Sequence, residues 1–169
     1  MNIIPPSHKA GFTLVEIMIV VVIIGILATL GLPAFQQVRA NSQNARFYQD
    51  VRVFASAAEM YMLETGTDPF SNNAFGDPST GTLSTDMQEY IKVNTFSQDT
   101  PIGGGYDFDN EFQDGDGNYF FGVGTAGHTV NNEQIVMMDE QHDDNALRTG
   151  KLVQPASDTS RYYYVITIE

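Results

Sequence analysis

The pattern of apolar and polar positions divides this 169-residue chain into three parts. Residues 12–32 form an apolar run whose single ionisable side chain is Glu16. As a helix this run would span roughly 31 Å, which matches the hydrocarbon core of a bilayer at about 30 Å. A one-faced pattern follows up to about residue 65, and a polar, acidic region completes the chain. The pattern predicts a membrane-spanning helix that continues into a globular domain.

The one-faced pattern predicts an amphipathic helix over residues 34–65. Its apolar side chains recur at spacings of four and three residues, which places them on one stripe of a helix. Such a stripe is more often part of a core than a groove for a foreign partner. Gly66 is a plausible stop. We expect the stripe to pack on a sheet formed by the rest of the chain, through Phe47, Val51, Phe54, Ala58 and Tyr61.

The acidic head, residues 66–169, is predicted to combine short helices and strands. Aromatic and β-branched residues favour strands at 119–123, 134–138 and 161–168, and residues 86–93 favour a short helix capped by Thr85. The predicted fold class is therefore α+β, with a long N-terminal helix packed on a small antiparallel β-sheet. The predicted domain boundaries are a spanning helix at 12–33, an amphipathic helix at 34–65 and the head.

The charge is concentrated in the head, where acids outnumber bases and account for the net charge of −13. Such a surface repels nucleic-acid phosphates and anionic lipids, so we expect no nucleic-acid partner. The chain contains no cysteine, so its stability depends on packing or on metal rather than on disulfides. We find no recognisable nucleophile among its polar residues and predict that the protein is not an enzyme.

One acidic stretch of the head could bind a hard cation. Its oxygen-bearing side chains alternate with glycine or apolar residues, a spacing that can direct several oxygens at one Ca²⁺ ion. It is not an EF-hand, because Tyr119 and Thr125 stand where that loop needs glycine and glutamate. A solvated acidic loop closed by Asx turns accounts for the pattern equally well. The predicted ligands are Asp107, Asp109, Asp114, Asp116 and Asn118.

Residues 9–16, Lys-Ala-Gly-Phe-Thr-Leu-Val-Glu, resemble the cleavage and methylation motif of type IV prepilins and of type II secretion pseudopilins. Pro33 also falls where that family usually has a proline. The resemblance implies a pilin-like fold and a leader peptide, residues 1–11, that a prepilin peptidase removes after Gly11. It further implies methylation of the new N-terminus at Phe12. Glu16 would meet the N-terminal amine of a neighbouring subunit during assembly.

Elementary electrostatics supports the role that the resemblance gives to Glu16. An ionised side chain in hydrocarbon costs about 2.5–3.5 kcal/mol, and a cation from an adjacent subunit would lower that cost and fix the register of the two helices. Alternatively, Glu16 could lie near the headgroups and snorkel. Gly25, Gly31 and Pro33 predict a helix kink, although the two glycines would also suit close helix packing.

The sequence therefore predicts a filament subunit of a type IV pilus or of a type II secretion pseudopilus. Its precursor would be a single-pass protein of the inner membrane with the head outside the cytoplasm, and an inner-membrane machinery would assemble it into a homo-oligomer. The filament would be a periplasmic pseudopilus or an extracellular pilus. The alternatives are a membrane-anchored calcium-binding or hydrolytic domain and a conventional secretory signal peptide.

Overall fold

A computed structural model of the chain describes residues 11–67, 83–113, 117 and 119–166. The chain divides into two compact units, Met1–Arg39 and Ala40–Glu169. The helices are α1 (Leu14–Thr65), a 3-10 helix (Asp86–Glu89), α2 (Val93–Phe96) and α3 (Asn132–His142). The strands are β1 (Gly105–Gln113), β2 (Tyr119–Ala126), β3 (Leu152–Val153) and β4 (Arg161–Ile166).

The four strands form one antiparallel sheet in the order β1-β2-β4-β3. Together with the long first helix, this sheet confirms the predicted α+β class. The strands predicted at 119–123 and 161–168 are confirmed as β2 and β4, and β4 is described up to Ile166.

The predicted apolar stripe of α1 is confirmed as part of the core of the second unit. Phe54 is 2% exposed. The centroid of its ring lies 4.9 Å from the centroid of the Tyr106 ring, in an edge-to-face arrangement. The same cluster includes Val123, Tyr162 and Ile166 from one face of the sheet. The helix ends at Thr65, and Gly66 follows with a φ of 65°, as predicted. The stripe, all of it buried, consists of Phe47, Val51, Phe54, Ala58 and Tyr61.

The strand predicted at residues 134–138 is wrong, because these residues lie in α3. The side chain of Asn131 caps this helix by accepting a hydrogen bond from the Gln134 amide at 3.0 Å. Ile135 and Met138, three residues apart, are fully buried in the core. A short apolar run fits either a strand or one face of a helix, and here the cap and the spacing of three decide for the helix.

Two further predictions need correction. Residues 105–113 form β1 rather than part of an acidic loop, with Tyr106 and Phe108 in the core and Asp107 on the opposite face. Of the helix predicted at 86–93, only residues 86–89 form a helix, which is a 3-10 helix, and α2 begins at Val93; Thr85 makes no side-chain capping bond.

Gly124 of β2 lies between two functional groups of the neighbouring strands. It pairs with Asp107 of β1 on one side and with Tyr163 of β4 on the other. Because glycine has no side chain, the Tyr163 hydroxyl can reach across β2 and donate a hydrogen bond to Asp107. A methyl group at Gly124 would lie 1.9 Å from the carbonyl oxygen of Tyr162.

We therefore expect Gly124→Ala to destabilise the second unit by about 1–3 kcal/mol, the usual cost of overpacking. Gly105→Ala is the matched control, since an added methyl there meets no atom within 4 Å and should change stability by less than about 0.5 kcal/mol. Thermal unfolding followed by near-ultraviolet circular dichroism measures both. Equal stability of the two variants would contradict this packing.

Candidate functional site

Thr13 and Glu16 form a reciprocal hydrogen-bonded pair at the start of α1. The amide and the hydroxyl of Thr13 donate to Oε2 of Glu16 at 2.8 and 2.9 Å. The Glu16 amide donates to the Thr13 hydroxyl oxygen at 3.3 Å. This arrangement is a capping box, which satisfies amide groups that the helix itself leaves unpaired. The carboxylate of Glu16 is thereby held at the helix N-terminus, close in sequence to Phe12.

Glu16 belongs to a segment of large apolar side chains that nothing in the described chain covers. Every large apolar side chain from Phe12 to Val38 is between 50 and 86% exposed. Soluble monomers rarely leave so large an apolar surface in contact with water. By its length and composition, the helix that contains these residues can cross a membrane. The segment fits the predicted membrane-anchored precursor.

The predicted kink residues all lie within α1. The helix includes Pro33 without interruption, and added methyl groups at Gly25 and Gly31 would meet no atom within 4 Å. One turn before Pro33, the Thr29 hydroxyl donates to the Ile26 carbonyl at 2.7 Å. The kink itself stays a prediction.

In the second unit, Asp107 and Asp109 meet a basic side chain. Nη1 of Arg161 lies 3.1 Å from Oδ2 of Asp107 and 3.1 Å from Oδ2 of Asp109. The Tyr163 hydroxyl also donates to Asp107. Asp158 adds a third carboxylate 3.3 Å from Nε of Arg161. The guanidinium thus joins β1 to the segment that leads into β4.

Burial dominates the electrostatics of Asp107, whose side chain is 2% exposed. It raises the pKa of this carboxyl above its ordinary value, although the hydrogen bond from Tyr163 and the charge of Arg161 act in the opposite direction. These two partners therefore compensate only part of the cost of burying the acid.

The calcium site proposed from the sequence stays a prediction. Of its five residues, Asp107 and Asp109 come together as described, and Arg161 supplies a positive charge to both. Asp114, Asp116 and Asn118 lie outside the described residues.

Comparisons with known proteins identify the N-terminal segment. Residues 6–32 match the family described as the prokaryotic N-terminal methylation motif. This match includes Gly11, Phe12 and Glu16, and it confirms the resemblance to type IV prepilins. In its long N-terminal helix, its small antiparallel sheet and this motif, the chain is similar to prepilin-like proteins.

The curated relatives that the chain matches include pilins and fimbrial proteins. The chain is 48% identical over 56 residues to a fimbrial protein of Pseudomonas aeruginosa, covering 33% of this chain and 36% of that protein. It is 36% identical over 85 residues to the type IV major pilin protein PilE of Neisseria gonorrhoeae, covering 50% of this chain and 51% of that protein.

A third relative is the type IV major fimbrial protein FimA of Dichelobacter nodosus, 43% identical over 58 residues, which cover 34% of this chain and 37% of that protein. The chain thus spans about half the length, or less, of these curated relatives. No solved structure matches it at a significant level.

Two features of the site escaped the sequence analysis. Thr13 was not predicted to hold Glu16, although Thr-x-x-Glu before an apolar run is the signature of a capping box. Arg161 was not assigned to the acids of β1, because the pairing depends on the order of strands that are distant in sequence.

We expect Arg161→Gln to destabilise the second unit by about 1–3 kcal/mol, because it removes the counter-charge of a buried carboxylate. The full cost of breaking a buried ion pair is larger, but the Arg161 side chain is 36% exposed, so solvent compensates part of the loss. Arg148→Gln removes the same charge from an exposed position and should change stability by less than about 0.5 kcal/mol. Thermal unfolding compares the two. If both variants unfold at the same temperature, Arg161 does not stabilise Asp107.

Proposed function

We propose that this chain is the subunit of a type IV pilus-like filament, held in the membrane as a precursor and polymerised through the N-terminal part of α1. The observation that carries the proposal is the exposed apolar segment with Glu16 near its start. A bilayer can cover this surface in the precursor, and the same surface of other copies can cover it in a filament. The pilin and fimbrial names of the relatives support this function.

Glu16 makes a positively charged group of another subunit a favourable partner for this surface. Its Oε2 accepts both hydrogen bonds that Thr13 donates to the carboxylate, and within the described residues Oε1 accepts none. Removal of a leader after Gly11 would create an amine at Phe12. The amine of a neighbouring subunit could then neutralise Glu16 and set the axial register of the two helices.

Processing follows from the motif. We propose that a prepilin peptidase cuts after Gly11 and methylates Phe12, and that an inner-membrane machinery then extracts the subunit from the bilayer. The described helix begins at Leu14, close after the proposed cut. The head would face away from the cytoplasm, and its strong negative charge suits a soluble surface there.

The relatives favour an assembled structural role over catalysis, because they are named pilins and fimbrial proteins. They also favour a pilus, since none of the three carries the name of a secretion pseudopilin. The location of the filament, extracellular for a pilus and periplasmic for a pseudopilus, distinguishes these two forms of the proposal.

We expect mass spectrometry of the mature protein to find N-methylphenylalanine at residue 12 as its first residue. The cells must express a prepilin peptidase, and cells that lack this peptidase are the control. There, the leader should remain attached. A mature protein that keeps its leader in the presence of the peptidase, or that begins near residue 31, would contradict the proposed pathway.

We expect Glu16→Gln to abolish filaments or to reduce them at least tenfold, as counted by electron microscopy. Glutamine can maintain a capping box but carries no charge, so this variant separates the charge of Glu16 from its role at the helix end. Glu59→Gln removes an equivalent charge from an exposed position of the same helix and should leave filaments intact. Filaments of Glu16→Gln in normal number would contradict the proposed role of the Glu16 charge in assembly.

A further inference from the structure

Three aspartates converge where α3 ends. One carboxylate oxygen from each of Asp139, Asp143 and Asp144 lies within 4.8 Å of the other two. Asp139 is in the last turn of the helix, and the two others start the segment that leads to β3. Three negative charges this close repel one another unless a proton or a cation compensates them.

The buried member of this group has an oxygen without a partner. Asp139 is fully buried, and its Oδ1 accepts a hydrogen bond from the Tyr162 hydroxyl at 3.0 Å. Its Oδ2 is also buried, but it has no hydrogen-bond partner in the described part of the chain. Buried polar atoms of this kind are nearly always satisfied by protein, water or an ion. The negative charges of Asp143 and Asp144 both disfavour the charged form of this carboxyl.

The other two carboxylates are held in place by donors from the chain. Oδ2 of Asp143 accepts hydrogen bonds from the amides of Lys151 and Leu152 at 2.5 and 2.7 Å. Asp144 accepts one bond from the Ala146 amide at 2.9 Å and one from the Thr149 hydroxyl at 2.8 Å. These contacts fix the positions of both carboxylates beside Asp139.

We propose that Asp139, Asp143 and Asp144 bind one Ca²⁺ ion. The cation would give Oδ2 of Asp139 the partner that it lacks and would compensate the charges of the two neighbouring carboxylates. This site is distinct from the one predicted around Asp107, and it does not depend on the proposed filament function.

The chemistry of the donor set favours calcium over other metals. All three ligands are carboxylate oxygens, which suit a hard cation. His142 is nearby in sequence but does not belong to the group of three aspartates. Its ring stacks on the Tyr48 ring, with the two ring centroids 4.1 Å apart. Ca²⁺ accepts carboxylate oxygens in a flexible geometry, whereas Mg²⁺ demands a nearly ideal octahedron and keeps several of its waters, so a cluster of protein carboxylates suits calcium better.

Binding would connect three elements of the second unit. Asp139 belongs to α3 and is bonded to Tyr162 of β4, whereas Asp143 is bonded to the amide of Leu152, the first residue of β3. A cation at their meeting point would hold the end of the helix against the sheet. Its removal would loosen this region.

The test is the thermal unfolding of the full chain in detergent, first with a chelator and then with excess CaCl₂ or MgCl₂ at constant ionic strength. A hundredfold excess of Ca²⁺ over its dissociation constant should raise the melting temperature of the wild type by about 5–10 °C. MgCl₂ should have a much smaller effect.

Two variants and one matched control locate the site. Asp144→Asn, at an exposed position, should lose the response to Ca²⁺, and Glu140→Gln, an exposed neighbour outside the group, should keep it. Asp139→Asn should also lose the response, and it should be at least as stable as the wild type in chelator because it removes a buried charge. An unchanged melting temperature of the wild type would overturn the proposal. An equal response of Asp144→Asn and Glu140→Gln would also overturn it, since it would reveal only general compensation of the acidic surface.

Discussion

The carboxylate of Glu16 within an apolar helix is the constraint on which the proposed assembly of this protein depends. Its capping box with Thr13 gives the carboxylate two hydrogen bonds but no counter-charge. Around it, apolar side chains from Phe12 to Val38 remain exposed in the isolated chain. The apolar surface favours association with lipid or with other copies, and in the proposed filament the acid would select those arrangements that place a cation beside it.

The second unit also places acids in apolar surroundings, here inside a globular fold. Asp107 and Asp139 are both buried acids, and each accepts a hydrogen bond from a tyrosine of β4. Asp107 also has the guanidinium of Arg161 as its counter-charge. For Asp139 the described chain supplies two more acids in place of a base, which is why a bound cation is a reasonable partner there. Compensation of a carboxylate charge is thus observed at Asp107 and proposed at Asp139 and Glu16.

Periodicity predicted the fold wherever a pattern was long. The stripe from Phe47 to Tyr61 identified its helix and its buried face, because five apolar positions at helical spacing rarely occur in a strand or a loop. Residues 134–138 were too short for the same argument and were assigned to the wrong element. In β1 the alternation of Tyr106 and Phe108 with two aspartates was visible in the sequence, but it was interpreted as spacing for a metal. Strand β3, with two residues, depends on its partner β4 and leaves no signal of its own.

The central claim is tested most directly by solid-state NMR of mixed filaments. Half of the subunits would carry ¹⁵N-labelled phenylalanine and the other half ¹³C-labelled glutamate, so that a contact between the amine of Phe12 and the carboxylate of Glu16 can arise only between subunits. The proposed assembly predicts a signal for this contact at salt-bridge distance. A contact seen only when both labels are in the same chain, or no contact in assembled filaments, would contradict it.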